Sequence, residues 1–333
     1  MYVMYKYSKN FKSNSPSFLI LILFLIVFSL IFVFRNNLYS LLYNKKIDKG
    51  EINYSNIQNQ NNDNLASIDS KNDFFYKKDT TYIIVMADSH LNVNAFDKIR
   101  SLIKKYNVSY VFHLGDHTNF GSDNELEKAK LLLNSLGGNY YVLPGDRDLA
   151  AYNGDLEFYK YFNRTDSVTI EGINFLLINN APNFTLMDDK YLNKILFEIP
   201  KASIVLTSQP IYVEKGNILE SKYMGSPTAF NFEDPQSKKI QEVYLNQRNK
   251  ILNEIRKTNN KLIVSGDHHR SATFQDPEND SIKYHILGAT AEYLNSNGLE
   301  IKQEAFQTQR VTFLSIDKNT NKIEFKEIEI FEE

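Results

Sequence analysis

Cysteine is missing from this chain, and so is any strong excess of charge of one sign. Without cysteine, disulfide bonds, thiolate metal ligands and a cysteine nucleophile are all excluded. The 38 basic and 40 acidic residues leave a formal net charge of -2. A nucleic-acid-binding protein usually carries a basic face, so no nucleic-acid partner is expected. The sequence shows no internal repeat and leaves the oligomeric state open.

One long apolar run lies near the N-terminus, over residues 18–34, and only Ser29 interrupts it. A helix buried in a soluble core keeps a polar face, which this run lacks. Its length is near the lower limit of about 17–25 residues for crossing a bilayer. It exceeds the roughly 7–15 residues of a signal-peptide core, and no cleavage motif follows it. We therefore predict one transmembrane anchor over residues 18–35, after a basic tail over residues 1–17.

The anchor predicts a lipid bilayer as a partner and a single-pass protein of the cell membrane. Lysines lie on both sides of the apolar run, so the positive-inside rule is nearly balanced. The lysines ahead of the run favour a cytoplasmic N-terminus, which places the rest of the chain outside the cytoplasm. Residues 36–78 are polar and rich in Asn, Ser, Asp and Lys, too polar to form a core. We expect a disordered tether there, then one folded domain over residues 79–333.

Strand and helix patterns alternate after the tether, and hairpin patterns dominate the end of the domain. Apolar residues at helical spacing follow Asn94, a candidate N-cap, and the capping-box pair Ser122 and Glu125 precedes a second helix. A turn at Glu171-Gly172 joins two runs that alternate like a hairpin. This order of elements predicts an α/β protein with two sheets in the core and helices outside.

Several of the strand patterns end abruptly at side chains that bind metals or carry charge. In chain order these endings are Asp88-Ser89-His90, Gly115-Asp116, Gly145-Asp146-Arg147-Asp148, Ser208-Gln209-Pro210 and Gly266-Asp267-His268-His269. In open α/β sheets the functional site lies at the carboxyl ends of the strands, so these endings are expected to converge. Four aspartates at one sheet edge repel one another unless cations neutralise them. With histidines beside them, they predict a site for divalent metals.

The ordered series D-x-H, G-D, G-D-R-D, S-Q-P and G-D-H-H resembles the calcineurin-like metallophosphoesterase superfamily over residues 80–330. The resemblance implies a four-layer αββα sandwich of two mixed β-sheets flanked by helices. It also implies two divalent metal ions and a bridging hydroxide that hydrolyses a phosphomonoester or phosphodiester. A phosphate ester is accordingly the expected substrate.

The first metal site follows the family pattern at every position. By resemblance, Asp88, His90 and His269 bind the first metal, and Asp116 bridges the two metals. A mixed nitrogen and oxygen ligand set leaves Fe and Zn²⁺ open as alternatives at the Asp88/His90/His269 position.

The second metal site departs from the family pattern. Asp146 stands where the family has asparagine, and Gln209 and Asp267 stand where it has histidine. With Asp116 they would form an all-oxygen ligand set, which favours Mn²⁺, Mg²⁺ or Ca²⁺ over Zn²⁺. We therefore expect a second site with altered metal preference and favour Mn²⁺ as the cofactor.

The predicted catalytic residues are Arg147 and Asp148. Arg147 occupies the position of the family's catalytic histidine. Its pKa is too high for a general acid, but a guanidinium group can bind phosphate oxygens in pairs and stabilise the charge that develops on them. Asp148 is expected to orient Arg147, as the matching acid of the family orients its histidine.

The remaining histidines and the altered second site leave other interpretations open. His113 and His285 lie within strand patterns and are expected to be structural, whereas His117 and His268 adjoin ligand positions and are candidates for touching metal or substrate. An alternative function is a catalytically silent domain that binds metal or phosphate at the membrane. A metal-dependent hydrolase of non-phosphate esters is a third and less favoured interpretation.

Overall fold

A computed structural model describes residues 74–151, 155–181, 187–212, 235–291 and 308–330. By internal contacts the chain divides into residues 1–68 and 69–333, and every described residue lies in the second unit. Within the described ranges, no helix has the length and apolar character needed to cross a membrane. The predicted basic tail, the transmembrane anchor and most of the predicted tether lie outside the described residues.

The described residues form strands and helices in alternation, as the sequence pattern predicted. The strands are β1 (Thr80–Met86), β2 (Tyr110–His113), β3 (Asn139–Val142), β4 (Ser167–Ile170), β5 (Ile173–Ile178), β6 (Ile204–Thr207), β7 (Lys261–Ser265), β8 (Ala272–Gln275), β9 (Ile282–Ile286), β10 (Arg310–Asp317) and β11 (Ile323–Glu329). The helices are α1 (Val93–Tyr106), α2 (Asp123–Ser135), α3 (Phe158–Tyr161), α4 (Asp189–Glu198), continued by a 3₁₀ turn (Ile199–Lys201), and α5 (Pro235–Arg256).

The strands build two sheets, and each sheet mixes parallel with antiparallel pairs. The first sheet has the order β11-β10-β1-β2-β3, in which β1, β2 and β3 are parallel and β10 and β11 pair antiparallel. The second has the order β4-β5-β6-β7-β9-β8, in which β5, β6, β7 and β9 are parallel. Its two edge strands, β4 and β8, pair antiparallel. The prediction of two mixed sheets flanked by helices is confirmed.

Apolar side chains fill three layers of core, between the sheets and under the helices on either side. Alternate residues of β1 divide between two of these layers, because successive side chains of a strand point to opposite faces. Ile83 and Val85 pack between the sheets against Leu206 of β6. Ile84 and Met86 pack on the outer face together with α1 and α2. Helices α4 and α5 cover the outer face of the second sheet, so the layers run helices, sheet, sheet, helices.

The sequence predicted the N-terminal cap of α2 correctly but misplaced that of α1. Helix α1 is capped by Asn92, whose side chain accepts a hydrogen bond from a backbone N–H at 3.1 Å. Asn94, the predicted cap, lies in the first turn instead. The predicted capping box is confirmed, because Glu125 accepts hydrogen bonds from the backbone N–H of Ser122 at 3.2 Å and from its hydroxyl at 2.9 Å. A cap requires extended backbone one residue before the helix, and Asn92 meets that condition.

The predicted hairpin is also present. Strands β4 and β5 pair antiparallel, and the two residues between them, Glu171 and Gly172, have φ of 48° and 76°. A two-residue hairpin loop with both φ values positive matches the twist of the strands that it joins. Glycine at the second position adopts this conformation without steric cost.

The packed core begins before residue 79, the predicted start of the domain. Phe75 is only 4% exposed, and its ring stacks on that of Tyr106 with centroids 3.9 Å apart. The hydroxyl of Tyr82 donates a hydrogen bond to the carbonyl of Phe74 at 3.0 Å. The last residues of the predicted tether therefore belong to the folded domain.

Candidate metal centre and active site

The carboxyl ends of β1, β2, β6 and β7 meet at one place, as expected. Gly266, directly after β7, marks the point of closest approach. A Cβ atom there would lie 2.9 Å from the side chain of Ala87 and 3.2 Å from the carbonyl oxygens of Leu114 and Ser208. Real Cβ atoms are not found at the first of these distances. Glycine at this position lets the loops of both sheets share one site.

Backbone hydrogen bonds hold these loops against one another. The N–H of Asp88 donates to the carbonyl of Gly115 at 3.0 Å, and that of His90 donates to the carbonyl of Asp116 at 3.1 Å. The N–H of Ala291 donates to the carbonyl of Asp88 at 3.0 Å. The loops after β1 and β2 are thus joined residue by residue, which fixes the side chains that they carry.

The four residues predicted for the first metal come together in one cluster. One ligand atom from each of Asp88, His90, Asp116 and His269 lies within 4.8 Å of the others. Nε2 of His269 is 3.4 Å from Oδ1 of Asp88, and Nε2 of His90 is 3.9 Å from Oδ2 of Asp116. Two carboxylates and two imidazoles at this spacing form a mixed oxygen and nitrogen donor set.

The residues predicted for the second metal form a neighbouring cluster. Ligand atoms of Asp116, Asp146 and Asp267 lie within 4.8 Å of one another. The side-chain amide of Gln209 adjoins this cluster, with Nε2 donating to Oδ1 of Asp267 at 3.4 Å. Asp116 belongs to both clusters, which is the position predicted for a bridging ligand. All seven predicted metal ligands therefore lie at one site.

Five of the seven candidate ligands have an unusual backbone conformation. The φ angles of Asp88, His90, Asp116, Asp267 and His269 are 56°, 43°, 55°, 76° and 57°. Residues other than glycine rarely adopt positive φ, and each such residue costs of order 1–3 kcal/mol. Packing elsewhere in the fold must offset this strain.

The aspartates of the site are held in an environment that disfavours their charge. Burial raises the pKa of Asp88, Asp116 and Asp267 well above the ordinary value, and the charge of Asp146 is the next cause in each case. Both carboxylate oxygens of Asp88 are buried without a hydrogen-bond partner of good geometry in the described part of the chain. Bound cations would supply the missing counter-charge, so the aspartates fit a metal centre.

The histidines of the site are held in the form that binds metals. Burial lowers the pKa of His90, and burial together with the charge of a protonated His90 lowers that of His269 to about 3. Both rings are therefore neutral at physiological pH. Nδ1 of His90 donates to the carbonyl of Thr118 at 3.0 Å, because a carbonyl oxygen can only accept. That bond leaves Nε2 with its lone pair directed to the cluster, as in metal-bound histidines.

The donor chemistry of the two clusters fits two divalent cations. Asp88, His90 and His269 would hold one cation, Asp146, Asp267 and Gln209 would hold the other, and Asp116 would contact both. The second set offers oxygen donors alone, which suits hard cations such as Mn²⁺, Mg²⁺ and Ca²⁺.

Arg147 lies beside both clusters and is exposed to solvent. Its backbone N–H donates to Oδ1 of Asp116 at 3.1 Å, which fixes the start of its side chain over the shared aspartate. Burial is the largest cause of the lowered pKa of His269 and of the raised pKa of Asp267. The charge of Arg147 adds to the first shift and partly offsets the second. The charge of the guanidinium group thus acts on residues of both clusters.

Asp148 supports the loops of the site instead of contacting the guanidinium group of Arg147, and this corrects the predicted contact. The Asp148 side chain is buried and accepts four hydrogen bonds. They come from the backbone N–H groups of His117, Thr118 and Gly145 at 3.2, 2.9 and 2.9 Å, and from the Thr118 hydroxyl at 2.8 Å. Both carboxylate oxygens are fully engaged by the loops after β2 and β3, so none of their acceptor capacity is left for Arg147.

Glycine precedes three of the candidate ligands, and at Gly115 and Gly145 the reason is that two loops lie in backbone contact. A Cβ on Gly145 would lie 2.1 Å from Oδ1 of Asp116 and 2.2 Å from its backbone nitrogen. Gly115 has φ of 125°, and a Cβ there would lie 2.7 Å from Cα of Gly145. The repeated Gly-Asp pair therefore records the close approach of two loops around the shared aspartate.

The other histidines near the site make structural contacts. The rings of His113 and His117 stack with centroids 3.7 Å apart. Nε2 of His113 bonds the hydroxyl of Ser89 at 2.7 Å, and Nε2 of His117 donates to the carbonyl of Leu143 at 3.0 Å. His268 is buried next to a candidate ligand. Its direct role in binding metal or substrate stays a prediction.

Two supporting residues, Asn180 and Thr118, were missed at the sequence level. Asn180 follows the end of β5 and forms two hydrogen bonds with the backbone of Gln209. Its Oδ1 accepts from the Gln209 N–H at 2.9 Å, and its Nδ2 donates to the Gln209 carbonyl at 2.8 Å. Its place at a strand end was the available signal, since β5 also points its carboxyl end towards the site. Thr118, which positions His90, had no comparable signal because it lies inside a loop.

Comparison with known proteins agrees with the site chemistry. A family model for calcineurin-like phosphoesterases matches residues 81–299. The chain therefore belongs to the calcineurin-like phosphoesterase family, which confirms the resemblance predicted from the strand-end motifs. No curated protein sequence matches the chain.

Solved structures similar to the chain include two phosphatases. One is a purple acid phosphatase from seeds of yellow lupin (Lupinus luteus), 11% identical with a TM-score of 0.47, over 75% of this chain and 54% of that one. The other is a dimetal phosphatase from Danio rerio, 10% identical with a TM-score of 0.47, over 76% of this chain and 97% of that one. The chain thus spans about half of the lupin protein. Family membership rests on the sequence match.

Proposed function

We propose that the chain is a membrane-anchored phosphoesterase that hydrolyses a phosphomonoester or phosphodiester with two divalent cations, preferably Mn²⁺. The observation that carries this proposal is the shared Asp116. It lies in a mixed imidazole and carboxylate cluster and in a carboxylate cluster at once, with ligand atoms within 4.8 Å in each. Paired cation sites of this kind suit in-line displacement at phosphorus, because they neutralise both the attacking and the leaving oxygen.

The residues of the chain divide the work between holding cations and binding phosphate. When bound, the cations supply a water of lowered pKa and a clamp on the phosphate group. His90 is held in the ligand-competent tautomer by its bond to Thr118. Arg147 extends into solvent beside the clusters, where its guanidinium group binds the phosphate oxygens of the substrate and keeps its charge at any working pH.

The membrane part of the proposal is supported by the apolar run of residues 18–34, which has the length and composition of a single span. We place the phosphoesterase domain outside the cytoplasm. Protease added to intact cells is then expected to remove the domain. Cleavage that occurs only after lysis would reverse this orientation.

The metal preference is tested on protein purified without chelator. Elemental analysis is expected to find about two metal ions per chain, since the two clusters offer a full donor set for each. We expect Mn²⁺ at the all-oxygen cluster. Zn²⁺ at both positions would contradict the preference argued from its oxygen donors.

The activity is tested with 4-nitrophenyl phosphate and bis(4-nitrophenyl) phosphate in the presence of Mn²⁺. Wild-type protein is expected to hydrolyse at least one of them, and Asp116→Asn is expected to lose at least about 10²-fold in kcat/KM, because it weakens both cation sites. Asp280→Asn makes the same chemical change at an exposed loop position and serves as the matched control.

A catalytically silent domain remains the rival hypothesis, prompted by Arg147 and by the altered second cluster. It predicts that wild-type protein binds Mn²⁺ or phosphate but does not hydrolyse either ester faster than Asp116→Asn does. Hydrolysis that is lost in Asp116→Asn and kept in Asp280→Asn would exclude the silent domain.

A further inference from the structure

Side chains hold the backbone of Gln209, the candidate ligand from the loop after β6. Oδ1 of Asn180 accepts a hydrogen bond from the Gln209 N–H at 2.9 Å, and Nδ2 of Asn180 donates to the Gln209 carbonyl at 2.8 Å. The hydroxyl of Thr207 donates to the same carbonyl at 2.8 Å. A carbonyl oxygen has two lone pairs and a backbone N–H has one proton, so these three bonds use the full hydrogen-bonding capacity of the Gln209 backbone.

Thr207 also ties Gln209 to the loop that carries Asp267. Its Oγ1 lies 2.8 Å from the hydroxyl oxygen of Ser265 in β7. The single hydroxyl proton of Thr207 goes to the Gln209 carbonyl, so Ser265 is the donor in this pair. Gly266, between Ser265 and Asp267, donates its N–H to the Thr207 carbonyl at 3.3 Å. Because Thr207 and Ser265 are both buried, water does not compete for these bonds, and the two ligand loops are joined.

The fixed backbone determines which atom of the Gln209 side chain is available to a cation. Nε2 donates to Oδ1 of Asp267 at 3.4 Å, so Oε1 is the atom left to act as a ligand. An uncharged amide attracts a cation less strongly than a carboxylate does. Its contribution therefore depends on accurate placement, which well-anchored neighbours supply.

We propose that Asn180 and Thr207 are positioning residues for the second cation: acting through the backbone of Gln209, they set the cation affinity of the second cluster and leave that of the first unchanged. The proposal rests on the two-cation function proposed above and deepens it. The first cluster has separate support, because the carbonyl of Thr118 fixes the tautomer of His90. The two sites are therefore expected to respond differently to the same substitution.

The test titrates metal-free, full-length protein with Mn²⁺ and follows binding by calorimetry and by electron paramagnetic resonance. Wild-type protein is expected to bind about two ions and to show magnetic coupling between them, because both contact Asp116. Asn180→Ala is expected to raise the Kd of the second ion by about 10–100-fold and to leave that of the first unchanged. At Mn²⁺ concentrations that just fill both wild-type sites, the variant then shows the signal of an isolated ion.

Two substitutions of Thr207 separate positioning from packing. Thr207→Val keeps the shape of the side chain and removes its hydroxyl, so it is expected to raise the Kd of the second ion by about 10-fold or more. Thr207→Ser keeps the hydroxyl and removes a methyl group, so it is expected to bind both ions. A packing role predicts the opposite order, because valine fills the buried space and serine does not.

Asn174→Ala is the matched control for Asn180→Ala. Asn174 lies near the opposite end of β5, where its side chain bonds Thr169 and the carbonyl of Lys201 instead. This variant is expected to bind both ions as wild type does.

The outcomes distinguish this proposal from the function on which it rests. An Asn180→Ala variant that binds the second ion as tightly as wild type would overturn the proposal, and so would equal weakening of both ions. Weaker binding of the second ion by Thr207→Ser than by Thr207→Val would also overturn it. Wild-type protein that binds fewer than two Mn²⁺ ions would contradict the proposed two-cation function itself, and this inference fails with it.

Discussion

Asp267 shows how one residue can weaken the metal-free protein and still be needed at the site. Its carboxylate is surrounded by other acids, and burial followed by the charges of Asp146 and Asp88 raises its pKa. The folded state therefore binds a proton at pH values where the unfolded chain has released it. By linkage, the stability of metal-free protein falls as pH rises above about 4, the ordinary aspartate pKa.

Asp267→Asn is accordingly expected to raise the melting temperature in chelator at pH 8. The gain is expected to shrink as pH falls towards 4, where the wild-type carboxyl also becomes neutral. With Mn²⁺ the order reverses, because the variant loses a ligand and binds about one metal ion instead of about two. Thermal unfolding with and without chelator, together with elemental analysis, checks both parts. A variant that keeps two ions and full activity would remove Asp267 from the ligand set.

Asp148 is expected to matter for stability more than an average buried residue does. Asp148→Ala leaves four donors of the site loops without their acceptor, at a cost of about 3–5 kcal/mol in the free energy of unfolding. Urea denaturation measures this loss. Asp280→Ala, at an exposed position, is expected to change stability by less than about 0.5 kcal/mol. Equal effects of the two substitutions would rule out the proposed support of the loops.

At the scale of elements, the contact between the loops after β2 and β3 gives a direct test. Gly145→Ala places a methyl group 2.1 Å from Oδ1 of Asp116, so one loop must move. We expect a loss of about 1–3 kcal/mol or more in stability and weaker metal binding. Gly138→Ala is the matched control, since its nearest neighbour would lie 3.8 Å away. A Gly145→Ala variant with wild-type stability and metal affinity would contradict this contact.

His285 joins the two sheets through its side-chain hydrogen bonds. Its ring lies in β9 and bonds the hydroxyls of Thr273 in β8 at 2.9 Å and of Thr312 in β10 at 2.8 Å. Burial lowers its pKa to about 4. A lowered pKa means that its contribution to stability is present above the unfolded value of 6.5 and is lost as pH falls towards 4.

The difference in unfolding free energy between wild type and His285→Gln is therefore expected to fall by about 3 kcal/mol between pH 7 and pH 4. Denaturant titrations of both proteins across this range measure it. The comparison cancels the other buried histidines, which titrate equally in the two proteins. A difference that does not depend on pH would show that the pKa of His285 is the same in the folded and the unfolded state.

The elements and the ligands were predictable from sequence to different degrees, for physical reasons. Parallel strands end at one edge, so the strand endings sufficed to bring all seven ligands together. The hydrogen-bond partners of Asp148 were not predictable, because they depend on two loops separated by about 30 residues and leave no periodic pattern. The N-cap of α1 was predicted two residues too late, because asparagine occurs both at position 92, where the cap is, and at position 94.

At the scale of the whole molecule, the boundary of the domain can be tested at Phe75. Its ring is buried against Tyr106 and Phe313, so Phe75→Ala is expected to cost about 3–5 kcal/mol. Tyr76 is 59% exposed, and Tyr76→Ala is expected to cost less than about 1 kcal/mol. Likewise, a chain that begins at Asp69 is expected to melt cooperatively and at a higher temperature than one that begins at Lys77. Equal melting temperatures would restore the later boundary.

The two clusters also connect the two sheets of the molecule. Each cluster takes ligands from loops of both sheets. The second sheet supplies His269 to one cluster and Asp267 to the other, and the first sheet supplies the acids that face them. A cation bound there is a removable cross-link between chain segments far apart in sequence, in a protein that has no cysteine to form a permanent one. At a free concentration 100-fold above its Kd, one such cation adds about 2.7 kcal/mol. The supply of metal then governs how long the folded protein survives as well as how fast it works.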